Sequence, residues 1–301
     1  MTPMRKPHKQ GRKAARKHGR KAAPDRPAGP KRDPSGDSGR DPGKAPGRPP
    51  RVRRGAESGL WLYGQHAVLE ALANPKRRCS RLLATAEVRE KLGNRLSQLV
   101  ERRSDGLTLR LAARDELAPL LPPGAVHQGL ALAVEPLAQP SLAALLTSLP
   151  NTGRQVVCAL DQVTDPQNVG AILRSAAAFG VAGLLTTRRN AAPESGALAK
   201  AASGALERVP YLQVGNLAQA LESLKNEGFW VMGLASEGSD SLPISNPGDR
   251  VTLVLGAEGE GLRRLTRERC DLLLRLPTRP PLDQLNVSNA AAIAFYELLG
   301  R

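Results

Sequence analysis

The amino-acid sequence predicts an α/β protein with a mostly parallel sheet. From residue 60 onward, apolar segments of strand length alternate with segments of helical spacing, which is the arrangement of layered α/β domains. The run at 156–160, VVCAL, is apolar at every position, as in strands that helices cover on both faces. Glycine and polar residues follow several of the predicted strands. Because open α/β sheets bind ligands beyond the carboxyl ends of their strands, we expect a site at that edge.

Residues 1–58 differ sharply in composition from the rest of the chain. They contain 18 Lys/Arg against 5 Asp/Glu, ten Pro, eight Gly and no Leu, Ile, Phe, Trp or Tyr, and so carry +13 of the net charge of +16. Such a segment cannot bury enough apolar surface to offset its chain entropy, and it is predicted to be a disordered basic tail. RNA is its expected partner, through neutralisation of phosphates. A solubilising leader without a specific partner and an organelle transit peptide are the alternatives.

Composition also excludes several classes of protein. There is no run of about 18 apolar residues for a membrane span, and no secretory leader follows the start. Cys79, Cys158 and Cys270 are far apart, which is typical of reduced core cysteines rather than of disulfides or metal ligands. Two of the four histidines fall in the basic tail, so no metal site is predicted. We therefore expect a cytoplasmic protein.

Residues 59–135 are predicted to form a small α/β unit. A helical segment is expected over 60–74, followed by strands at 81–86, 107–112 and 129–135 and by helices at 87–104 and 113–121. Its basic side chains either contact RNA or belong to solvated helix faces and loops; they are Lys76, Arg77, Arg78, Arg81, Arg102 and Arg103.

A linker and a second unit complete the chain. Residues 136–152 contain a short leucine-rich helix between prolines, which indicates a linker. Residues 153–301 then alternate between strands and helices. The strands are predicted at 154–163, 183–187, 209–214, 229–235, 251–255 and 272–277, and the helices at 168–180, 194–207, 216–228, 262–271 and 288–300.

The first polar motif of this second unit is DPQNVGAILR at 165–174. Asn168 falls near the predicted start of a helix, and Arg174 lies about two turns further on among small and apolar neighbours. An arginine in such surroundings is either paired or available to an anionic substrate. The structural alternative is that Asn168 only caps the helix and that Arg174 only makes an internal ion pair.

The second motif is GAEGEG at 256–261, directly after an apolar strand. Its G-x-x-G-x-G spacing inverts the dinucleotide-binding G-x-G-x-x-G, and Leu276 stands where an acidic ribose ligand would be expected. Two glutamates in the loop also oppose phosphate binding and are compatible with a cationic ligand, of which the sulfonium of S-adenosylmethionine is one. The alternative is an ordinary tight turn between a strand and a helix.

The third motif is LNVSN at 285–289. Ser288 is predicted to be the N-cap of the following helix, and the alanines at 290–292 permit close packing of that helix. Taken singly, this motif predicts only a capped core helix.

In their order and spacing, the three motifs resemble those of the SpoU, or TrmH-like, branch of the SPOUT RNA 2′-O-ribose methyltransferases. The matching stretches are NVGAILR, LGAEGEGL and LNVSNA. Residues 62–68 (LYGQHAV) and 124–129 (GAVHQG) are similar to the N-terminal substrate-binding domain of the bacterial members that methylate guanosine in large-subunit ribosomal RNA. The resemblance covers residues 60–301 and leaves out the basic tail.

The resemblance implies a C-terminal α/β domain with a trefoil knot, a ribosomal-protein-like RNA-binding domain before it, and an obligate homodimer. It implies S-adenosylmethionine as cofactor and ribosomal RNA as substrate. Gly256, Leu276 and Leu285 match positions that contact the cofactor, and Gly261 and Thr186 are added to this set. The positions that match the catalytic site are Asn168, Arg174, Glu258, Asn286 and Ser288.

Two questions stay open at this point. Arg174 is either the base of the reaction, as proposed for the family, or a protonated group that holds a phosphate and stabilises negative charge. The alternative functions are 2′-O-methylation of tRNA and a non-catalytic role in RNA binding or ribosome assembly.

Overall fold

The computed structural model describes residues 59–300, apart from residues 190, 243–247, 280 and 282–283. The predictions for residues 1–58 therefore lie outside the described residues. None of the helices within the described ranges is long and apolar enough to cross a membrane.

The N-terminal part of this region is a four-stranded mixed sheet with helices beside it. Its strands are β1 (Leu60–Tyr63), β2 (Cys79–Ala84), β3 (Thr108–Leu111) and β4 (Leu130–Val134), in the order β1-β4-β2-β3. Its helices are α1 (Gln65–Ala73), α2 (Ala86–Glu101) and α3 (Arg114–Leu117). Strand β4 runs antiparallel to β1 and β2, whereas β2 and β3 are parallel.

The helical segment predicted over 60–74 is wrong in its first four residues, which form β1. The strand pairs with β4 about seventy residues away, Leu60 opposite Val134 and Tyr63 opposite Ala131. Gly64, at φ 89°, then separates the strand from α1. Large apolar residues occur in both strands and helices, so only the distant partner strand decides between them.

A short helix, α4 (Leu142–Ser148), lies in the segment predicted to be a linker. Ser141 caps it by accepting a hydrogen bond from the backbone of Ala144, and Leu145 is buried against the second sheet. The domain boundaries at 135/136 and 152/153 stay a prediction.

The C-terminal part is a seven-stranded sheet in the order β7-β6-β5-β10-β8-β11-β9, and every neighbouring pair is parallel. Its strands are β5 (Gln155–Asp161), β6 (Gly183–Thr187), β7 (Tyr211–Val214), β8 (Trp230–Leu234), β9 (Asp240–Ser241), β10 (Arg250–Gly256) and β11 (Leu272–Arg275). Its helices are α5 (Pro166–Phe179), α6 (Gly196–Ala202), α7 (Leu217–Asn226), α8 (Arg264–Glu268) and α9 (Val287–Leu299). The fold class predicted from the alternating segments is confirmed.

Strand β5 shows why this sheet forms. Residues 156–160 are completely buried, and their side chains alternate between two apolar clusters. Cys158 belongs to the cluster that contains α5, α6 and α9, whereas Val157 belongs to the cluster that contains α7. A strand apolar at every position thus has a covered face on each side.

Two predicted elements differ from the structure. The helix predicted over 194–207 is divided, because Ser203 and Gly204 both adopt positive φ and a 3-10 turn (Ala205–Glu207) follows. The polar interval after β8 contains the two-residue strand β9, which pairs with β11. The trefoil knot implied by the family resemblance stays a prediction.

The three cysteines are free, as predicted. Cys79 and Cys158 are buried, and Cys270 is partly buried. Burial raises the pKa of Cys79 and of Cys270 to about 11, so both thiols are protonated at neutral pH and are weak nucleophiles.

Candidate active site

The glycine-rich loop at 256–261 folds back tightly against the end of β10. The backbone amide of Gly261 donates to the carbonyl oxygen of Ala257 at 2.9 Å, and these two residues form an isolated β-bridge. A Cβ atom added to Gly256 would lie 2.2 Å from the carbonyl carbon of Gly261. Gly259 and Gly261 adopt positive φ, 82° and 66°. The inverted spacing of the motif is therefore explained by the geometry of this turn.

A cavity of about 590 Å³ lies beside this loop, beyond the carboxyl ends of β8, β10 and β11. It is lined by residues 234–237, 255–261, 267, 275–278, 284, 285, 287 and 290. Its apolar walls come from Leu234, Leu255, Leu276 and Leu285. Glu237, Glu258 and Glu260 contribute the carboxylates, and Glu237 is paired with Arg267. Both the position and the size are typical of a small-molecule site in an open α/β sheet.

The residues predicted to contact a cofactor divide into two groups. Gly256, Gly261, Leu276 and Leu285 all line the cavity. Thr186 does not, since it is completely buried on β6, which is separated from β10 by β5.

Four of the predicted catalytic residues form one hydrogen-bonded cluster, which we call the amide–carboxylate cluster: Asn168, Glu258, Asn286 and Ser288. Glu258 Oε1 accepts hydrogen bonds from Asn168 Nδ2 at 3.1 Å and from Asn286 Nδ2 at 2.6 Å. Asn286 Nδ2 also donates to Asn168 Oδ1 at 3.0 Å. Glu258 lines the cavity as well, so the cluster stands at the cavity's edge.

Hydrogen bonds orient every amide of this cluster. Asn286 Oδ1 accepts from the backbone amide of Ser288 at 2.9 Å and from Ser288 Oγ at 2.5 Å. The Nδ2 group of Asn286 therefore points toward Asn168 and Glu258. Val287 N is a third donor to Glu258 Oε1, at 3.4 Å. Because all three donors converge on one carboxylate oxygen, the other oxygen of Glu258 is left without a hydrogen bond from the described residues.

Helix capping explains which side chains are available to the cluster, and it differs from the sequence prediction at α9. Asp165 is the N-cap of α5 and accepts from the amide of Gln167, which frees the side chain of Asn168 for the cluster. Asn286, and not Ser288, is the N-cap of α9. Serine and asparagine are similarly good caps, and the contacts of Asn286 with Asn168 and Glu258 favour it here.

Arg174 is the one predicted catalytic residue that the structure does not bring into the cluster. It is exposed on α5 and makes no hydrogen bond or ion pair with the described residues. Six helical residues correspond to a rotation of about 600°, so Arg174 and Asn168 face different directions. Within one chain, Arg174 is a charged guanidinium without a partner in the described region.

An ion pair between Asp161 and Arg263, which was not predicted from the sequence, lies next to the glycine-rich loop. Asp161, at the end of β5, is completely buried and accepts from Arg263 Nε at 2.6 Å and from the backbone amide of Arg263 at 2.9 Å. Gly256 lies opposite Asp161 in the sheet. The pair fixes the start of α8 beside the glycine-rich loop. An acidic residue that ends an apolar strand was the available signal.

Comparisons with known proteins find matches to both parts of the described region. Residues 155–296 match the model of the SpoU rRNA Methylase family, and residues 61–140 match that of the RNA 2′-O ribose methyltransferase substrate binding domain. The chain is 38% identical over 237 residues to the 23S rRNA (guanosine-2′-O-)-methyltransferase RlmB of Escherichia coli K12, which covers 78% of this chain and 96% of that protein. It is 36% identical over 237 residues to RlmB of Photobacterium profundum, with 78% and 95% covered.

Solved structures agree with the fold. The SpoU methyltransferase AviRb of Streptomyces viridochromogenes, in complex with AdoMet, superposes with a TM-score of 0.66 at 21% identity, covering 80% of this chain and 89% of that one. A putative RNA methyltransferase of the TrmH family from Porphyromonas gingivalis gives a TM-score of 0.62 at 26% identity, with 81% and 91% covered. By its matched regions and its identity to full-length relatives, the chain belongs to the SpoU rRNA methylase family.

Proposed function

We propose that this protein transfers a methyl group from S-adenosylmethionine to the ribose 2′-oxygen of a guanosine in 23S ribosomal RNA. The observation that carries this proposal is that the cavity and the amide–carboxylate cluster are adjacent. The cavity behind the glycine-rich loop shares Glu258 with the amide–carboxylate cluster. A cofactor held in the cavity would therefore lie beside polar groups that can hydrogen-bond to a ribose hydroxyl. The RlmB relatives support the choice of substrate.

The cavity fits S-adenosylmethionine in size and in chemistry. About 590 Å³ lies within the range of small-molecule sites. Leu255, Leu276 and Leu285 would pack against the adenosine, and backbone groups of the loop would hydrogen-bond to it. Glu258 and Glu260 provide negative charge for a sulfonium. When bound, the cofactor supplies an electrophilic methyl group whose bond to sulfur breaks as the new bond to the ribose oxygen forms.

Side chains of the protein must align the ribose hydroxyl for attack and accept its proton. An unactivated hydroxyl is a poor nucleophile, so catalysis depends on alignment and on stabilisation of developing negative charge. In our proposal the amide of Asn168, held by Glu258 and Asn286, orients the ribose hydroxyl through its second N–H. The oxygen of Glu258 that has no hydrogen bond from the described residues can accept the proton. Arg174 holds the neighbouring phosphate, because the planar guanidinium matches the geometry of phosphate oxygens.

Methyl transfer itself tests this function. Purified protein with radiolabelled S-adenosylmethionine should label a 23S rRNA transcript, and digestion should place the label on a guanosine ribose. Label on tRNA alone would favour the tRNA alternative. If calorimetry detects no binding of the cofactor and no RNA is labelled, the enzymatic function is wrong.

The family's homodimer is a further part of the proposal. Ile293 and Tyr296 on α9 are 42% and 49% exposed, and Phe179 at the end of α5 packs edge-on against Tyr296, with ring centroids 6.1 Å apart. Exposed apolar groups clustered on two packed helices are typical of an interface. Light scattering should give the mass of two chains.

Ribosomal RNA as substrate also implies action in the cytoplasm.

Removal of residues 1–58 should weaken RNA binding without affecting cofactor binding. These residues carry a net charge of +13, and each neutralised phosphate steepens the dependence of affinity on salt. RNA titrations at several salt concentrations should therefore show a shallower slope for the chain that begins at residue 59. Equal slopes for both chains would contradict a role of the tail in RNA binding.

A further inference from the structure

A buried arginine links the N-terminal and C-terminal parts of the described region. Arg77, in the loop between α1 and β2, is completely buried. Its Nε donates to Glu207 at 3.1 Å and its Nη2 donates to the same carboxylate at 2.5 Å, while its Nη1 bonds to Glu194 and to the carbonyl oxygen of Glu135. Asn74 adds a hydrogen bond to Glu207 at 2.8 Å. Glu194 and Glu207 both belong to the C-terminal part of the chain.

We call Arg77, Glu194 and Glu207 the interdomain ion cluster. Burial alone would lower the pKa of Arg77, but hydrogen bonds to the two carboxylates and their charge outweigh it, and the pKa is raised above its usual value. The guanidinium is therefore charged at any pH at which the protein works. Every one of its nitrogens has a carboxylate or carbonyl partner. A buried charge satisfied in this way is costly to break from one side.

The loop that carries Arg77 is itself held firmly. Arg103, two residues after α2, donates through Nη1 to the carbonyl oxygens of Leu72 and Asn74 at 3.0 and 2.9 Å. Its Nη2 bonds to the carbonyl oxygen of Arg77 and to Asp105. Arg77 thus projects from a loop that is hydrogen-bonded to the segment after α2.

Close packing at two glycines adds to the contact between the N-terminal and C-terminal parts. A Cβ added to Gly196, at the start of α6, would lie 2.4 Å from the carbonyl oxygen of Trp61 on β1. A Cβ added to Gly204 would lie 2.3 Å from Cγ of Glu70 on α1. The missing side chains of both glycines therefore let the C-terminal part approach the N-terminal part closely, at the backbone of Trp61 and at the side chain of Glu70.

The same helix connects this interface to the amide–carboxylate cluster. Helix α6 packs on α5 so closely that a Cβ on Gly170 would lie 2.4 Å from Cβ of Ala201. Asn168 stands half a turn before Gly170 on α5 and donates to Glu258. Close packing contacts therefore connect the N-terminal part through α6 to α5, which carries Asn168.

From this arrangement we propose that Arg77 is a positioning residue for methyl transfer. By docking the RNA-binding part onto Glu194 and Glu207, it sets the distance between the bound RNA and the amide–carboxylate cluster, and so determines which ribose reaches the cavity. This inference rests on the proposed function. Arg77 itself is buried away from solvent, so its effect on the reaction is indirect.

Two variants break the contacts from opposite sides. Arg77→Gln removes the guanidinium, and Glu207→Gln removes one of its two carboxylates while leaving the charge paired with Glu194. Each should lower kcat at saturating RNA by roughly 10- to 100-fold, since small misplacements of reacting groups cost this much. Cofactor affinity by calorimetry should stay within about twofold, because the cavity is untouched. Arg77→Lys should recover part of kcat.

Proteolysis supplies a readout that needs no activity. The backbone amide of Leu137 donates to Glu194, so undocking should free the segment after β4 and speed its cleavage by thermolysin. Arg208→Gln is the matched control, because it breaks an exposed ion pair with Glu70 at the same interface. Its cleavage rate and kcat should match those of the unchanged protein.

The outcomes separate the two proposals. If the unchanged protein methylates rRNA and both variants keep its kcat and its cleavage rate, the positioning role is wrong. A lower melting temperature with unchanged kcat per folded enzyme also overturns it, because a purely structural residue would give that result. If Arg77→Gln does not fold, Glu207→Gln alone decides. An unchanged protein that neither binds the cofactor nor methylates RNA overturns the proposed function instead.

Discussion

Gly256→Ala should weaken binding of S-adenosylmethionine by roughly 10- to 100-fold, the equivalent of about 1–3 kcal/mol of steric strain. The added methyl group would stand 2.2 Å from the carbonyl carbon and 2.4 Å from the carbonyl oxygen of Gly261. Both are backbone atoms, so relief requires the whole loop to move. That loop lines the cavity, and its displacement removes the surface against which the cofactor would pack.

Calorimetry with S-adenosylmethionine measures this effect directly. Gly215→Ala is the matched control: a methyl group added there would have no atom within 4 Å, and the φ of Gly215 is not in the left-handed region. The control should bind the cofactor as tightly as the unchanged protein. Equal affinities for Gly256→Ala and Gly215→Ala would show that the loop is not part of the cofactor site.

Arg174→Ala should lower kcat by roughly 100- to 1000-fold, the usual effect of removing one group that stabilises charge in a transition state. Arg174 is exposed and has no partner among the described residues, so its replacement strands no charge in the protein. Folding and cofactor affinity should be unchanged. Arg174→Lys keeps the positive charge but loses the planar guanidinium. Its kcat should therefore lie between that of Arg174→Ala and that of the unchanged protein.

Single-turnover methylation at saturating RNA separates chemistry from binding. Arg95→Ala on α2 is a suitable control, since Arg95 is also exposed and also makes no hydrogen bond or ion pair with the described residues. It should retain full activity. A full rate in Arg174→Ala would remove this residue from the mechanism and leave the amide–carboxylate cluster to act without it.

Much of the fold could be predicted from the sequence because its signals are local. The run at 156–160 needs no knowledge of its neighbours to indicate a strand with two covered faces, and the structure buries all five residues. The segment at 60–63 shows the limit. Its residues suit a strand or a helix, and pairing with β4, far along the chain, makes it a strand.

In the candidate site, too, single residues could be predicted from local motifs, but their contacts could not. Asn168, Glu258 and Asn286 could each be named from motifs, yet Glu258 lies 90 residues from Asn168 and 28 from Asn286. No local pattern shows that three such side chains share one set of hydrogen bonds. The choice of Asn286 over Ser288 as the N-cap of α9 likewise depends on contacts with other segments.

By itself, the sequence determined the α/β class, the three motifs and the separation of a basic segment from an almost neutral remainder, because composition and periodicity are properties of neighbouring residues. Tertiary structure alone decided that Thr186 lies away from the cavity, that Arg174 stays apart from the amide–carboxylate cluster, and that Arg77 is a buried link between the N-terminal and C-terminal parts. In the sequence, no local feature distinguishes Arg77 from the exposed basic residues beside it, Lys76 and Arg78. Glu194 and Glu207, more than a hundred residues later in the sequence, supply the charges that compensate its burial.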